Sequence, residues 1–306
     1  MVLERIKTEV GRAIVGMDEV VELMTIALVA GGHVLLEGVP GIAKTTLSRN
    51  FARTLGLKFS RIQMTPDLLP ADIIGHTFYD IHTGDFKIRK GPVFANVVLV
   101  DEINRASPKT QSALLEAMEE KQVTIEGLSL RLPDPFIVLA TRNPVEMEGV
   151  YELPTAQIDR FMMKIDLTYL PEESEKTLLR RKNVGEFSEA RQVISVGELL
   201  KIRNEVRGVH VSDAIIDYIY DIIKGTRLDE RVILGVSPRG GEHLLYAAKA
   251  KAYLEGRDYV IPDDVKWLAV PVLSHRIVVK PEYEVDGVNG KTVVRNVLEK
   301  TEVPTE

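Results

Sequence analysis

Lys44 and Thr45 close the stretch Gly38-Val39-Pro40-Gly41-Ile42-Ala43, and Asp101-Glu102 closes the apolar run Val97-Val98-Leu99-Val100. A glycine-bounded loop ending in a lysine and a hydroxyl is chemistry for phosphate. Its backbone N–H groups and the ammonium face the anion, and the hydroxyl can hold Mg²⁺. Gly38, Val39, Pro40, Gly41, Ile42, Ala43, Lys44, Thr45 and Thr46 therefore form a candidate nucleotide cradle, with Lys44 against the β- and γ-phosphates. Asp101 would join Thr45 in holding Mg²⁺, through water, and Glu102 would polarise the attacking water. An Asp-Glu pair at a strand end is also common on protein surfaces, so its force here comes from its pairing with Lys44. Asn143, at the tip of the run from Phe136 to Thr141, either orients that water through its amide or belongs to a plain Asn-Pro turn. Ala43 stands where the general pattern has its last glycine. Either this position is not left-handed or the loop tolerates strain.

These groups need a scaffold. His33 to Glu37 is an apolar run suited to a buried parallel strand, and Thr45 to Leu55 reads as the helix whose unpaired N–H groups meet the phosphate. Lys58 to Gln63 supplies a second strand and Leu69 to Ile74 a short helix. Thr77 to Arg89, around Gly84, and Gln122 to Leu132, around Glu126-Gly127, read as two hairpins that interrupt the α/β alternation. Pro108 to Glu120 is a helix capped by Ser107, and its acids Glu116, Glu119 and Glu120 read as a solvated or subunit-facing surface. Upstream, the chain to Ala30 forms two amphipathic helices broken at Val15-Gly16, with Asp18 placed to cap the second. That turn either lies against a nucleotide base or simply joins two helices. Beyond Asp166 the buried strand runs cease, and helical periodicity marks 173–182, 196–206, 213–227, 239–254 and 263–274. From Arg276 to Glu306 apolar and charged residues alternate, with Asp286-Gly287 and Asn289-Gly290 as turns, which predicts a short sheet. The chain thus divides into an α/β core, residues 1–170, and a helical second domain with a short β tail, residues 171–306.

Composition bounds the rest. With 306 residues and 45% hydrophobic content the chain can build two cored domains. It has no cysteine, which excludes disulfides and cysteine-ligated metals and fits a reducing cytoplasm. Its six histidines are scattered without ligand spacing, so no metal beyond Mg²⁺ is expected. No stretch approaches the ~20 apolar residues of a membrane span, and the first residues lack the apolar centre of a signal peptide. The net charge of -6, with both signs mixed along the chain, argues against a dedicated nucleic-acid binder.

Five segments resemble, as a set, the MoxR family of AAA+ ATPases: Gly-Val-Pro-Gly-Ile-Ala-Lys-Thr at 38–45, Asp101-Glu102-Ile103-Asn104-Arg105-Ala106, Gln111 with Leu114-Leu115-Glu116-Ala117-Met118-Glu119-Glu120, Ala140-Thr141-Arg142-Asn143-Pro144, and Ala156-Gln157-Ile158-Asp159-Arg160-Phe161. Ala43 is the usual residue at its position in that family. The resemblance covers nearly the whole chain. It implies a phosphate-loop core with a parallel sheet between helices, two inserted hairpins, a helical lid, and ATP with Mg²⁺ as cofactors. It also implies a homo-oligomeric ring, a hexamer by resemblance. Arg160 then matches the arginine finger that enters a neighbour's site, where a planar guanidinium is worth about 10³ to 10⁵ in rate. Otherwise Asp159 and Arg160 are a simple ion pair. Gly235-Val236-Ser237-Pro238-Arg239 matches the second sensor, with Arg239 pointing at the nucleotide or else pairing with a carboxylate such as Glu242. ATP would lie in the crevice between core and lid, and hydrolysis would move the lid and carry the hairpins towards a client. The implied activity is chaperone-like remodelling or activation of partner proteins, often ones with a von Willebrand factor type A domain. Two other classes stay open. A nucleic-acid motor would want basic and aromatic pore side chains, and the second hairpin offers Glu126 and Arg131 but no aromatic residue. A non-hydrolysing scaffold is disfavoured by the presence of Glu102, Asn143 and Arg160.

Overall fold

The computed structural model describes residues 2–39, 41–143 and 150–304. Helices α1 (Val2–Ala13) and α2 (Asp18–Ala30) lead into β1 (Val34–Gly38), α3 (Lys44–Thr54), β2 (Phe59–Gln63) and α4 (Pro70–Ile74). The first hairpin, β3 (Gly75–Asp80) and β4 (Asp85–Lys90), precedes β5 (Val97–Asp101) and α5 (Pro108–Glu120). The second hairpin, β6 (Gln122–Ile125) and β7 (Leu128–Arg131), precedes β8 (Ile137–Arg142), α6 (Thr155–Ile158) and β9 (Met163–Leu167). There follow α7 (Glu172–Val184), α8 (Val196–Arg207), α9 (Asp213–Leu228), β10 (Val232–Leu234), α10 (Pro238–Leu254), α11 (Pro262–Leu273), β11 (Val278–Val279), α12 (Pro281–Glu284) and α13 (Gly290–Lys300).

Five strands pair in the order β2-β5-β8-β1-β9, and every pairing is parallel. A parallel sheet must be covered on both faces, and the near-continuous apolar runs of its strands answer that demand. Val34, Leu36, Val97, Leu99, Ile137 and Leu139 pack into one apolar cluster with α1, α2 and α3. Leu35, Val98, Val100, Val138 and Ala140 pack into a second cluster with α5 and the second hairpin. The register matters for the site. Gln63 lies opposite Asp101, Val100 opposite Ala140, and Leu36 opposite Thr141, so the chemically useful residues share one edge of the sheet.

The first cluster continues into the second half of the chain: Ile222, Leu244, Val265 and Leu268 belong to the same apolar body as Val21, Met24 and Leu28 of α2. Core and lid therefore share packing. Serines at 195, 212 and 237 start α8, α9 and α10 by accepting a backbone N–H three residues on.

Two expectations are corrected. Asp18 does not cap α2: Met17 holds that position without a side-chain bond, and Asp18 lies in the first turn, where its charge faces the positive end of the helix dipole. The tail is not a short sheet. Among its described residues only Val278–Val279 pairs, with β10, and Asn289 caps α13 through the Thr292 N–H rather than making a turn. Val293, Val294 and Val297 are buried on one face of that helix, a spacing that suits a helix and not a strand.

Candidate functional site

The phosphate loop sits at the carboxyl end of β1. Gly38 is obligatory by contact: a Cβ there would stand 2.4 Å from the carbonyl oxygen of Leu167 on the neighbouring β9. Ala43 has φ +53° and ψ 31°, so the position is left-handed and the loop carries the modest strain that an alanine incurs there. Lys44 Nζ donates to Gly38 O at 2.6 Å, folding the ammonium back over the loop. Gly41, Ile42, Ala43, Lys44, Thr45 and Thr46 line a cavity of 380 Å³ together with Asp101, Glu102, Asn143, Arg61, Gln63 and Thr141. The structure thus gathers Lys44, Thr45, Asp101, Glu102 and Asn143 around one space. Val39 is half-buried beside it, and Pro40 lies outside the described residues.

The acids in this cavity are held by groups that the motifs did not single out. Asp101 is 8% exposed; its Oδ2 accepts from Arg61 Nε at 2.6 Å and its Oδ1 from Thr141 Oγ1 at 3.3 Å. Glu102 sits at φ +56°, its N–H donating to Thr141 Oγ1 at 2.9 Å. Its Oε2 accepts from Gln63 Nε2 at 2.9 Å and from Arg105 Nη1 at 3.0 Å. Gln63 in turn accepts from Arg61 Nη2 at 2.9 Å. The donor set suits Mg²⁺, which takes a hydroxyl, one or two carboxylates, waters and phosphate oxygens. Among the described residues no group of three or more His, Cys, Asp or Glu is poised to hold a metal by itself.

Arg160 and Arg239 are elsewhere. Arg160 Nη2 lies 3.0 Å from Glu119 Oε2, and Arg239 Nη2 donates to Glu119 Oε1 at 2.8 Å. One carboxylate holds both guanidiniums. Its neighbour Met118 bonds through its carbonyl to His33 Nε2 at 3.1 Å, and His33 stands just before β1, at the amino edge of the sheet. The phosphate loop follows the other end of that strand, roughly 15 Å away at 3.3 Å per residue. Arg239 therefore does not point at this chain's own phosphate site, and its carboxylate is Glu119 rather than Glu242. The lid contributes none of the described residues lining the phosphate cavity, so the expected core–lid crevice does not supply this part of the site.

Asp159 is likewise not Arg160's partner. Its carboxylate accepts from Ser237 Oγ at 2.9 and 3.0 Å and faces Arg276 Nε at 3.2 Å. Arg276, 2% exposed, donates to the carbonyls of Asp159 at 3.1 Å and Phe161 at 2.9 Å. It also donates to His243 Nδ1, which is therefore an acceptor, and lies 2.6 Å from His275 Nε2, a nitrogen that stands 3.1 Å from the Phe161 carbonyl as well. Burial, with the Arg276 charge beside them, lowers His275 well below its ordinary value and His243 to about 3. Burial also draws Arg276 down to about 10 against the pull of Asp159, which leaves it charged at neutral pH. This knot ties the segment bearing Arg160 to the helix start bearing Arg239.

Val15 and Gly16 line a separate open cleft of 850 Å³ with α1 and α7, which shares no lining residue with the phosphate cavity. Gly16, at φ +73°, packs against Leu170 and Ser174 at the joint between the two halves. Sequence reasoning gave no role to Arg61, Gln63 or Arg276. Thr141, Glu119 and Ser237 stood within singled-out segments, but their partners were not legible there.

The ATPase family associated with various cellular activities matches residues 33–163, and the AAA lid domain matches residues 224–297. The uncharacterized protein YeaC of Bacillus subtilis is 46% identical over 97% of this chain and 93% of its own length. The chaperone MoxR1 of Mycobacterium tuberculosis is 44% identical over 99% of this chain and 82% of its own. A crystal structure from Cytophaga hutchinsonii, designated a candidate ATPase, superposes with a TM-score of 0.92 at 43% identity, covering 99% of this chain and 95% of that one. Among the described residues no helix is long and apolar enough to cross a membrane.

Proposed function

Because this chain belongs to the MoxR family of AAA+ ATPases, we propose that it is a cytoplasmic, Mg²⁺-dependent ATPase that works as a homo-oligomeric ring, a hexamer, to remodel or activate a protein client. The observation that carries the ring is the pairing of Arg160 and Arg239 on Glu119, at the edge of the sheet opposite the phosphate loop. That two cations useful to phosphoryl transfer lie so far from their own site supports the reading that they serve a neighbour's.

Bound ATP and Mg²⁺ supply the reacting phosphoryl group and the divalent charge that screens it. Lys44 would hold phosphate oxygens from the loop, and Thr45 and, through water, Asp101 would hold the cation. Glu102 takes the proton of the attacking water while the Asn143 amide orients that water. Arg160 and Arg239 of one subunit stabilise the charge developing in the next. The first hairpin exposes Phe78, Tyr79 and Phe86, an apolar surface that supports contact with a polypeptide client. A von Willebrand factor type A domain is the client class we assign.

ATP turnover per subunit, measured across a wide range of protein concentration, tests the reading. Specific activity should rise with concentration in the wild type and stay near background in Arg160→Ala and Arg239→Ala, while all three bind ADP with similar affinity. Turnover independent of concentration and of both arginines would remove the ring. Loss of ADP affinity in Arg239→Ala would return that residue to its own subunit's site.

A further inference from the structure

We propose that Arg61 is a built-in competitor for the divalent cation: it neutralises Asp101 in the metal-free site and must be displaced before that carboxylate can hold Mg²⁺. The inference rests on the reading of Asp101 as a metal-holding residue and adds a control element to it. Arg61 and Gln63 are two apart on β2, so both project to the same face, while Ile62 between them is buried in the core. β2 is the edge strand of the sheet, and its pocket-side residues line the phosphate cavity. Arg61 reaches across to Asp101 with an Nε–Oδ2 distance of 2.6 Å, and the acid's remaining oxygen is taken by Thr141. Each oxygen keeps a second lone pair, so the competition is one of charge: a guanidinium 2.6 Å from Oδ2 already neutralises this nearly buried carboxylate, and a cation approaching it meets that positive charge at close range.

The two partners differ in how easily they can leave. Thr141 is 3% exposed and fixed within β8, whereas the Arg61 side chain is 49% exposed and can swing into solvent without opening the core. Displacement is therefore cheap in packing and is governed by charge: a guanidinium gives way to a divalent ion that carries phosphate with it. The same movement removes the donor that fixes the Gln63 carbonyl oxygen, freeing its amide, which is bonded to Glu102. Metal arrival at Asp101 is thereby communicated to the carboxylate that acts on water.

Mn²⁺ binding to the ADP-bound protein, read by the electron paramagnetic resonance of free Mn²⁺, gives a test independent of turnover. Arg61→Ala should bind Mn²⁺ about five- to tenfold more tightly than wild type, less than a fully buried charge-assisted bond would give because the side chain is half exposed. Arg61→Lys should fall between them. Arg105→Ala, which removes an equal charge paired with Glu102 rather than with Asp101, should change Mn²⁺ affinity less than about twofold by screening. Affinity in Arg61→Ala equal to or weaker than wild type would overturn the proposal, and so would an equal gain in Arg105→Ala, which would make the effect one of bulk charge. Asp101→Asn separates the two levels. If it leaves Mn²⁺ affinity unchanged, the metal-holding role of Asp101 itself fails, whatever Arg61 does.

Discussion

Lys44 and Glu102 line one cavity, yet their removal should have opposite consequences for binding. Lys44 carries the loop's positive charge, so Lys44→Ala should abolish measurable ATP affinity. Glu102→Gln keeps the side chain's length and an acceptor for Gln63 and Arg105, and loses only the carboxylate that draws a proton from water. It should bind ATP within about threefold of wild type and turn over at least about 10²-fold more slowly, consistent with general-base contributions. Fluorescent-nucleotide titration and phosphate release check both, and a Gln variant that bound ATP no better than the Ala variant would refute the water-polarising role. These two residues were legible because their meaning is local: a lysine after a glycine loop, an acid after an apolar run. Arg61 and Glu119 were not. Arg61 meets an acid 40 positions away because register sets Gln63 opposite Asp101 and Arg61, two residues back on the same face, reaches diagonally across, and Glu119 meets Arg239 across 120 positions because a helix end and a lid helix converge. Neither distance leaves a trace in spacing.

The elements were read well wherever one pattern dominated. Buried strands, the Ser107-capped helix and both hairpins came from period and turn chemistry, and Glu126-Gly127 has φ values of +49° and +81°, as a two-residue hairpin turn requires. The tail was misread because Asn289-Gly290 is ambiguous: asparagine before glycine suits a tight turn and also a helix start. The valines beyond it decide the matter, since all three lie on one helical face against the lid core. The Asn289 cap is worth about 1 kcal/mol by the usual cost of an Ala replacement, so Asn289→Ala should lower Tm by a few degrees. Asn289→Ser should restore most of that loss. A Tm unmoved by either substitution in differential scanning calorimetry would mean that packing of Val293, Val294 and Val297 alone holds the helix.

At the scale of the whole molecule, buried histidines should make the fold sensitive to mild acid. Burial lowers His33 to about 4, and its Nδ1 accepts the Val138 N–H at 2.9 Å, which protonation would forbid. His243 and His275 are shifted the same way by burial and by Arg276. Each folded value lies below the unfolded one near 6.5, so the unfolded chain takes up protons first. Their contribution is complete above about pH 6.5 and is lost as pH falls towards 4, with His33 alone worth roughly 3 kcal/mol at the lower end. Tm should be flat above pH 7 and decline steadily below 6.5; a Tm constant down to pH 5 would contradict this. The shared grip of Glu119 bears on timing around a ring. It holds one guanidinium from the core and one from the lid, and the second hairpin begins three residues further on, at Gln122. In the proposed ring, phosphate in the adjoining subunit that drew off both arginines would leave an uncompensated anion at the root of that hairpin. Each hairpin would then report its neighbour's occupancy rather than its own, so subunits should fire in succession, and turnover should show a Hill coefficient above one in ATP.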